Sequence, residues 1–348
     1  MTGLKPMTAN VRPPRVELHL HLEGAIPHPA LWELIRKYGG DPSLPDMEAL
    51  RKRFIYRDFP HFIETWIWKN GFLREYDDFT YIAEQVARDL RDQDILYAEA
   101  HYTPVGFADA GLKLPEITHA VRAGLDRVPD VEVTLIGDLC RNMGPETAVR
   151  TLRELQEVRD MGIVGIGLGG SEQSFPPEPY QEVYREARRL GLHTTAHAGE
   201  AAGAQSVWGA LRSLHVERIG HGIRSEEDPQ LVDYLVERQI PLEMCPLSNV
   251  ATGVVKRIED HPIRRYFDRG IVVTVSTDDP KMFGNSLEQE YRLLADVFDF
   301  TPEEIRTVAE NSVRASWMEE RAKQRFLALM SGGGVEGAEH SGRTDSKG

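Results

Sequence analysis

Four short apolar segments of this sequence end in side chains that bind metal ions in proteins. The first ends in His19 and His21, another in His197, a third in His221, and the last runs into Asp278. Alternate residues of a β-strand share a face, so His19 and His21 should converge on one point. Three histidines and one aspartate drawn from this group suit zinc better than magnesium or calcium. We therefore expect a zinc site in which the metal activates a water molecule as a nucleophile.

These side chains need a scaffold that brings distant strand ends together. Eight β-rich segments alternate with helical patterns along the chain. Such alternation predicts parallel strands, and eight units favour a closed (β/α)8 TIM barrel over an open sheet. Active sites of these barrels lie at the carboxyl ends of the strands, where the histidines and acids stand. The predicted strands are 16–21, 95–102, 131–139, 163–168, 193–197, 218–221, 240–244 and 271–276.

The interval between the first two predicted strands, residues 22–94, is longer than a single crossover helix needs. It contains helical patterns and many large aromatic residues, so we expect extra helices that cover the top of the barrel. Ordinary core packing would also account for most of these aromatic side chains. They are Phe54, Phe59, Phe62, Trp66, Trp68 and Phe72.

The positions of the lysines along the chain predict how many metal ions the site holds. Related metal-dependent barrels often hold two metals bridged by a modified lysine near the fourth strand. No lysine lies between Lys113 and Lys256, so the fourth predicted strand and its loop offer none. The sequence therefore favours one zinc ion per chain.

The composition indicates one globular domain and argues against several classes of partner. The chain has 348 residues, 41% of them hydrophobic, and a formal charge of −14, which disfavours nucleic acid. It has two cysteines, no apolar run of membrane-spanning length and no apolar signal segment at its start. We therefore expect a cytoplasmic protein that contacts no membrane, with a homo-oligomer left open. The predicted organisation is a disordered leader (1–13), one barrel domain (14–330) and a disordered tail (331–348).

Six motifs, taken in order, resemble the adenosine and adenine deaminase family of metal-dependent hydrolases, and look closest to bacterial adenosine deaminases. The resemblance covers about residues 15–330. The motifs are HLHLEG at 19–24, GGSE at 169–172, HAGE at 197–200, RIGHG at 218–222, CPLSN at 245–249 and STDDP at 276–280.

The resemblance implies a role for each site residue. Glu200 would donate a proton to N1 of the purine, where charge develops when C6 is attacked, and burial would raise its pKa accordingly. His221 would orient or deprotonate the attacking water. Asp279 would meet N7 of the purine, or brace a ligand histidine instead. The implied zinc ligands are His19, His21, His197 and Asp278, and the implied substrate contacts are His21, Glu23, the backbone of Gly170, and Asp279.

The resemblance leaves the 9-substituent of the purine open. Glu23 stands where adenosine-specific relatives usually have Asp, which favours adenine. The motifs IGHG at 219–222 and DDPKMFGNSLEQEY at 278–291, and the small residues at 169–171, look closer to nucleoside deaminases. We therefore predict adenosine or 2′-deoxyadenosine as the small-molecule substrate. The alternatives are adenine, and aminodeoxyfutalosine, whose larger 5′ group the segment 171–180 could accommodate.

Three other classes compete with this prediction. A nucleobase-editing deaminase needs paired cysteines that the chain lacks. A binuclear amidohydrolase would bind two metal ions, and a non-catalytic relative would have lost ligands or the acid. No cluster of basic residues lies near the motifs to bind a 5′-phosphate, so N6-methyl nucleotides are disfavoured as substrates.

Overall fold

The computed structural model describes residues 15–331. The predicted leader, 1–13, lies outside the described residues, as does all of the predicted tail except Ser331.

Eight parallel strands follow one another in chain order, which confirms the predicted (β/α)8 TIM barrel. The first strand and the segment just after the last strand meet at one bridge, between Leu20 and Asp278. There the His21 N–H donates to the Asp278 carbonyl, and the Asp278 N–H donates to the His19 carbonyl. The bridge nearly closes the barrel at the predicted ligands. The strands are Arg15–His21 (β1), Ile95–Tyr102 (β2), Glu132–Asp138 (β3), Ile163–Gly167 (β4), His193–Ala198 (β5), Arg218–His221 (β6), Leu242–Met244 (β7) and Val273–Val275 (β8).

The predicted strand bounds agree with the structure to within two residues. The largest differences are at β7 and β8, which are shorter than predicted because their paired register runs only from Leu242 and Val273 to Met244 and Val275. An apolar run marks a strand, but the hydrogen-bonded partner decides where the strand ends.

Helices surround the strands, and several begin at side-chain caps. Asp58 accepts from the N–H of His61 at the start of the third helix, and Glu75 and Asp78 form a capping box on the fourth. Among the described residues, no helix is long and apolar enough to cross a bilayer. The helices are His28–Lys37 (α1), Met47–Arg53 (α2), Phe59–Asn70 (α3), Tyr76–Asp92 (α4), Leu114–Leu125 (α5), Gly144–Glu157 (α6), Gln181–Arg189 (α7), Ala204–Gly209 (α8), Pro229–Arg238 (α9), Pro246–Ala251 (α10), Ile263–Asp268 (α11), Pro280–Phe283 (α12), Leu287–Asp296 (α13), Pro302–Ala315 (α14) and Glu320–Met330 (α15).

Helices α1–α4 form the predicted insert, and α3 packs against the segment that follows β8. The rings of Phe62 in α3 and Phe283 in α12 lie 5.2 Å apart. The Tyr56 hydroxyl donates to the Met282 carbonyl at 3.1 Å. The insert therefore covers the carboxyl end of β8. Of the aromatic residues named above, Phe62 and Phe72 are buried, whereas Phe54, Trp66 and Trp68 are partly buried.

Charged side chains fill part of the barrel interior. Buried Arg218 on β6 lies between two buried acids, with Nη2 2.6 Å from Glu99 Oε2 and Nε 2.5 Å from Glu243 Oε1. Because removing one member would leave a buried charge unpaired, these contacts link β2, β6 and β7. The apolar core packs between the strands and the surrounding helices.

Candidate metal centre and active site

Three imidazole nitrogens and one carboxylate oxygen converge at the carboxyl ends of β1, β5 and β8. The Nε2 atoms of His19 and His21 each lie 3.1 Å from Nε2 of His197. Asp278 Oδ1 lies 3.3 Å from Nε2 of His21 and 3.7 Å from Nε2 of His19. A tetrahedron with zinc–nitrogen bonds of about 2.05 Å has edges of about 3.3 Å. The four predicted ligands therefore have the spacing that one tetrahedral metal ion requires.

Neighbouring polar groups fix the orientation of two of these ligands. His19 Nδ1 donates to Glu243 Oε2 at 2.7 Å, which leaves the Nε2 lone pair facing the other ligands. The Ser248 hydroxyl donates to Asp278 Oδ2 at 2.6 Å, which leaves Oδ1 facing the histidines. All four ligand side chains are buried. Since such a set of buried donor atoms is costly without a partner, the donor set fits a bound metal.

Two residues of the site have a left-handed backbone, which is rare for residues with side chains. The φ angle is +64° at His221 and +67° at Asp278. Such conformations cost of order 1–3 kcal/mol and cluster at functional sites. At Asp278 the conformation coincides with the bridge to β1, so the strain accompanies the contact that brings this carboxylate to the histidines.

Glu200 lies beside the four predicted metal ligands, and its pKa is raised above the usual value for a glutamate. Its Oε2 is 3.6 Å from Nε2 of His221, and it is 8% exposed. Burial, together with the charges of Asp278 and Glu172, raises the pKa of Glu200 to about 8. Glu200 is therefore positioned and protonated as a general acid near neutral pH requires.

Glu172 holds the loop that carries Glu200. Its two carboxylate oxygens accept hydrogen bonds from four consecutive backbone N–H groups, those of residues 199–202, at 2.5–3.1 Å. Four amide donors satisfy a buried carboxylate without a cationic partner. The loop after β5 is therefore fixed by an acid that follows β4.

A chain of hydrogen bonds determines which nitrogen of His221 carries the proton. The N–H of Ile263 can only donate, and it points at Nδ1 of His261, at 3.3 Å. His261 must then donate from Nε2 to Asn249 Oδ1, at 3.1 Å, which turns the Asn249 amide nitrogen towards Nδ1 of His221, also at 3.1 Å. Burial lowers the pKa of His221, so its ring is neutral with the proton on Nε2.

Glu23 and Asp279 form an acidic wall of the site beside the predicted metal ligands. Glu23 Oε1 accepts from the Thr103 N–H at 2.8 Å. Gly24 permits the approach of Asp279, because a Cβ at Gly24 would lie 1.7 Å from Asp279 Oδ1. Within residues 15–331, Glu23 Oε2 and Asp279 Oδ1 have no hydrogen-bond partner although both are buried. Both oxygens can form hydrogen bonds with a ligand. Burial raises the pKa of Asp279 to about 7, so this carboxyl group can donate a hydrogen bond in its acid form as well as accept one in its ionised form.

The small residues after β4 have a structural explanation. A Cβ at Gly169 would lie 2.4 Å from Asp138 Oδ2, and one at Gly170 would lie 2.3 Å from Asn142 Oδ1. Gly170 also has a φ angle of +100° and is exposed at the rim, unlike the other predicted site residues. Close packing against Asp138 and Asn142 therefore accounts for glycine at positions 169 and 170 without a nucleoside.

Several residues near the centre were not predicted, although three of them belong to quoted motifs. Glu172 is in GGSE, and Ser248 and Asn249 are in CPLSN. Their polar side chains close to predicted strand ends could have marked these residues as part of the site. His101 lies at the end of β2, with its ring 4.9 Å from that of His19. Lys69 is buried in α3 among aromatic residues, and no local pattern marks it.

Comparisons with known proteins agree with this geometry. The sequence profile of the adenosine deaminase family matches residues 14–331. The chain is 35% identical over 328 residues to the aminodeoxyfutalosine deaminase of Streptomyces avermitilis, covering 90% of this chain and 89% of that protein. It superposes on the adenine deaminase of Arthrobacter aurescens with a TM-score of 0.87 and 32% identity, covering 92% and 98% of the two chains. A zinc-bound amidohydrolase of Burkholderia ambifaria is similar at a TM-score of 0.84 and 26% identity, over 92% and 90%.

Proposed function

The chain belongs to the adenosine deaminase family, and we propose that it hydrolyses free adenine to hypoxanthine and ammonia with one zinc ion. At the coarser level it is a deaminase of adenine-type purines. The observation that carries the proposal is the buried cluster of His19, His21, His197 and Asp278 with protonated Glu200 beside it. Zinc bound by these four side chains would act as a Lewis acid that makes water nucleophilic at neutral pH.

Glu200 supplies the proton that the purine ring needs. Attack of water at C6 pushes electron density onto N1, and a carboxylic acid at N1 neutralises that charge. With its pKa raised to about 8, Glu200 is in the acid form at pH 7.

His221 orients the water in this proposal and does not deprotonate it. Its Nδ1 accepts from Asn249, so its Nε2 carries a proton and faces Glu200. A nitrogen that already carries a proton donates a hydrogen bond and cannot take a proton from water. The neutral ring therefore holds the oxygen of the water in place against C6.

The base is held between two acids. Asp279 donates from its acid form to N7 of the purine, which is an acceptor, and Glu23 lies next along the same wall. Every predicted residue of the site except Gly170 is at most 9% exposed, which excludes bulk water and strengthens these hydrogen bonds.

Adenine is preferred to the adenosine predicted from the sequence. The similarity to an adenine deaminase supports the free base as the substrate. Glu23 supports it too, because it stands where adenosine-specific relatives usually have Asp. The similarity to the aminodeoxyfutalosine deaminase of S. avermitilis supports a second candidate substrate, aminodeoxyfutalosine. Exposed Phe175, in the segment 171–180, is available to contact its large 5′ group.

A substrate panel tests the proposal. Ammonia release would be measured with adenine, adenosine and aminodeoxyfutalosine on the zinc-loaded protein, with metal content determined in parallel. We expect adenine to have the highest kcat/KM, with one zinc ion per chain. A preference for aminodeoxyfutalosine would select the second candidate, and no ammonia from any of the three would contradict the proposal.

A further inference from the structure

A row of charged side chains runs through the barrel interior, from the predicted ligand His19 towards the amino ends of the strands. His19 Nδ1 donates to Glu243 Oε2 at 2.7 Å, and Glu243 Oε1 accepts from Arg218 Nε at 2.5 Å. The Arg218 guanidinium also pairs with Glu99, with Nη2 2.6 Å from Oε2. Three charges of alternating sign therefore connect His19 to Glu99, a residue that the proposed reaction does not use.

This row is shielded from solvent. The side chains of His19, Glu99 and Glu243 are 0% exposed, and Arg218 is 1% exposed. At the amino end of the barrel the ring of Trp317 covers the guanidinium, with its centroid 3.7 Å from Cζ. Charges in such surroundings are weakly screened, so each one acts strongly on its neighbours.

Glu99 and Arg218 are also held by groups outside the row. Glu99 Oε1 accepts from the Tyr97 hydroxyl at 2.9 Å and from the Trp317 N–H at 2.5 Å. Arg218 Nη1 donates to the Ala315 carbonyl at 2.9 Å. Because both side chains are fixed in this way, the guanidinium is shared between two acids and does not bind Glu243 alone.

The sharing of Arg218 decides how much negative charge Glu243 presents to His19. A carboxylate that accepts from Nδ1–H of a ligand histidine makes the other ring nitrogen a stronger donor to a metal. A cation bound to the same carboxylate opposes this effect. Since Glu99 compensates that cation, its charge acts on His19 through two intervening side chains.

We propose that Glu99 and Arg218 are positioning residues that set the metal affinity of the site, acting through Glu243 on His19. Two carboxylates and one guanidinium leave one net negative charge behind the ligand. This inference rests on the zinc site of the proposed function and deepens it, because it gives the charged interior of the barrel a role at the metal.

Zinc affinity tests the proposal independently of turnover. The Kd of zinc would be measured by competition between the zinc-loaded protein and a chromophoric chelator. Glu99→Gln keeps the shape of the side chain and removes its charge, so the guanidinium acts on Glu243 alone. We expect the Kd of zinc to rise roughly ten-fold or more, as for other groups that support a ligand histidine.

A double variant separates the role of charge from that of packing. Glu99→Gln combined with Arg218→Met removes the anion and the cation together, so Glu243 keeps its charge for His19. We expect the Kd of zinc to return to within about three-fold of the wild-type value, because the two changes compensate. A purely structural role predicts the opposite order, with the double variant binding zinc most weakly. That order would overturn the proposal.

Tyr97→Phe is the matched control. It removes a hydrogen bond to Glu99 Oε1 and leaves every charge of the row in place. It should lower the midpoint of urea unfolding and leave the Kd of zinc unchanged. If the double variant does not fold, the comparison of Tyr97→Phe with Glu99→Gln still decides.

Equal losses of zinc affinity in these two single variants would overturn the proposal, as would an unchanged Kd in Glu99→Gln. Either result, with tight zinc binding and normal release of ammonia from adenine by the wild type, would leave the proposed function intact. A wild type that binds no zinc would overturn both.

Discussion

Glu200 and His221 lie side by side, yet their surroundings give them different tasks. Burial and nearby acids keep Glu200 protonated, whereas burial and the Asn249 amide keep His221 neutral with its proton on Nε2. Both groups therefore present a hydrogen to the reacting atoms, Glu200 as the acid and His221 as the group that orients the water.

Glu200→Gln should keep the site and lose the reaction. The amide has nearly the same shape as the acid but has no proton to give to N1. We expect kcat to fall by roughly 10²–10⁴-fold. Steady-state ammonia release would measure this, with zinc content and hypoxanthine affinity as controls that should stay unchanged. A variant with near wild-type kcat would show that another group is the acid.

Asn249→Asp tests the protonation of His221. An aspartate can only accept from Nδ1, so it favours a proton on that nitrogen and removes the one on Nε2, or makes the ring cationic. We expect kcat to fall by roughly 10- to 100-fold with little change in KM. An unchanged kcat and pH profile would contradict the role given to the hydrogen-bond chain from Ile263. Zinc content checks that the metal site is intact.

At the scale of elements, acids and bridges between neighbouring strand ends hold the site together. Glu172, after β4, fixes the loop after β5, and the bridge at Asp278 joins β8 to β1. Helix α3 adds the cover through Phe62 and Lys69. Each contact connects segments that are distant in sequence, so the geometry of the site depends on the packing of whole elements.

Glu172→Gln should loosen the loop that carries Glu200. The amide nitrogen would face backbone donors that need an acceptor, leaving buried N–H groups unsatisfied. We expect the free energy of unfolding to fall by about 1–3 kcal/mol, together with a lower kcat. Urea denaturation would measure the stability. Glu182→Gln, at an exposed position on α7, is the matched control and should have no effect on either quantity. Equal stability of the two variants would count against the role of Glu172.

At the scale of the whole molecule, one metal ion would connect the ends of three strands. The predicted ligands come from β1, β5 and the end of β8, so a bound ion would cross-link both sides of the nearly closed barrel. Because only the folded chain brings the four ligands together, metal affinity adds directly to folding stability.

Removal of the metal should therefore destabilise the entire barrel. At free zinc about a thousand times its Kd, we expect the metal to contribute about 4 kcal/mol to unfolding free energy. Calorimetry before and after chelation would measure the loss, and added zinc should reverse it. In His197→Ala the same treatment should have little effect, because a ligand is missing. A chelated wild type as stable as the zinc-loaded protein would contradict a bound ion shared by these strands.

The sequence by itself determined the strands, their parallel order and the residues at their carboxyl ends. Apolar alternation is a local property, and a barrel brings all its strand ends to one face, so His19, His21, His197 and Asp278 could be placed together without coordinates. The motifs added the purine chemistry through the family resemblance.

Only the tertiary structure decided how the neighbours of these residues act. The proton position on His221 depends on Asn249 and His261, and the wall at Glu23 depends on Lys69, 46 residues further along the chain. The glycines after β4, which suggested room for a nucleoside, pack against Asp138 and Asn142 side chains. Such contacts join residues with no fixed spacing in sequence. They exist only once the elements pack, because packing sets burial, hydrogen-bond direction and available space together.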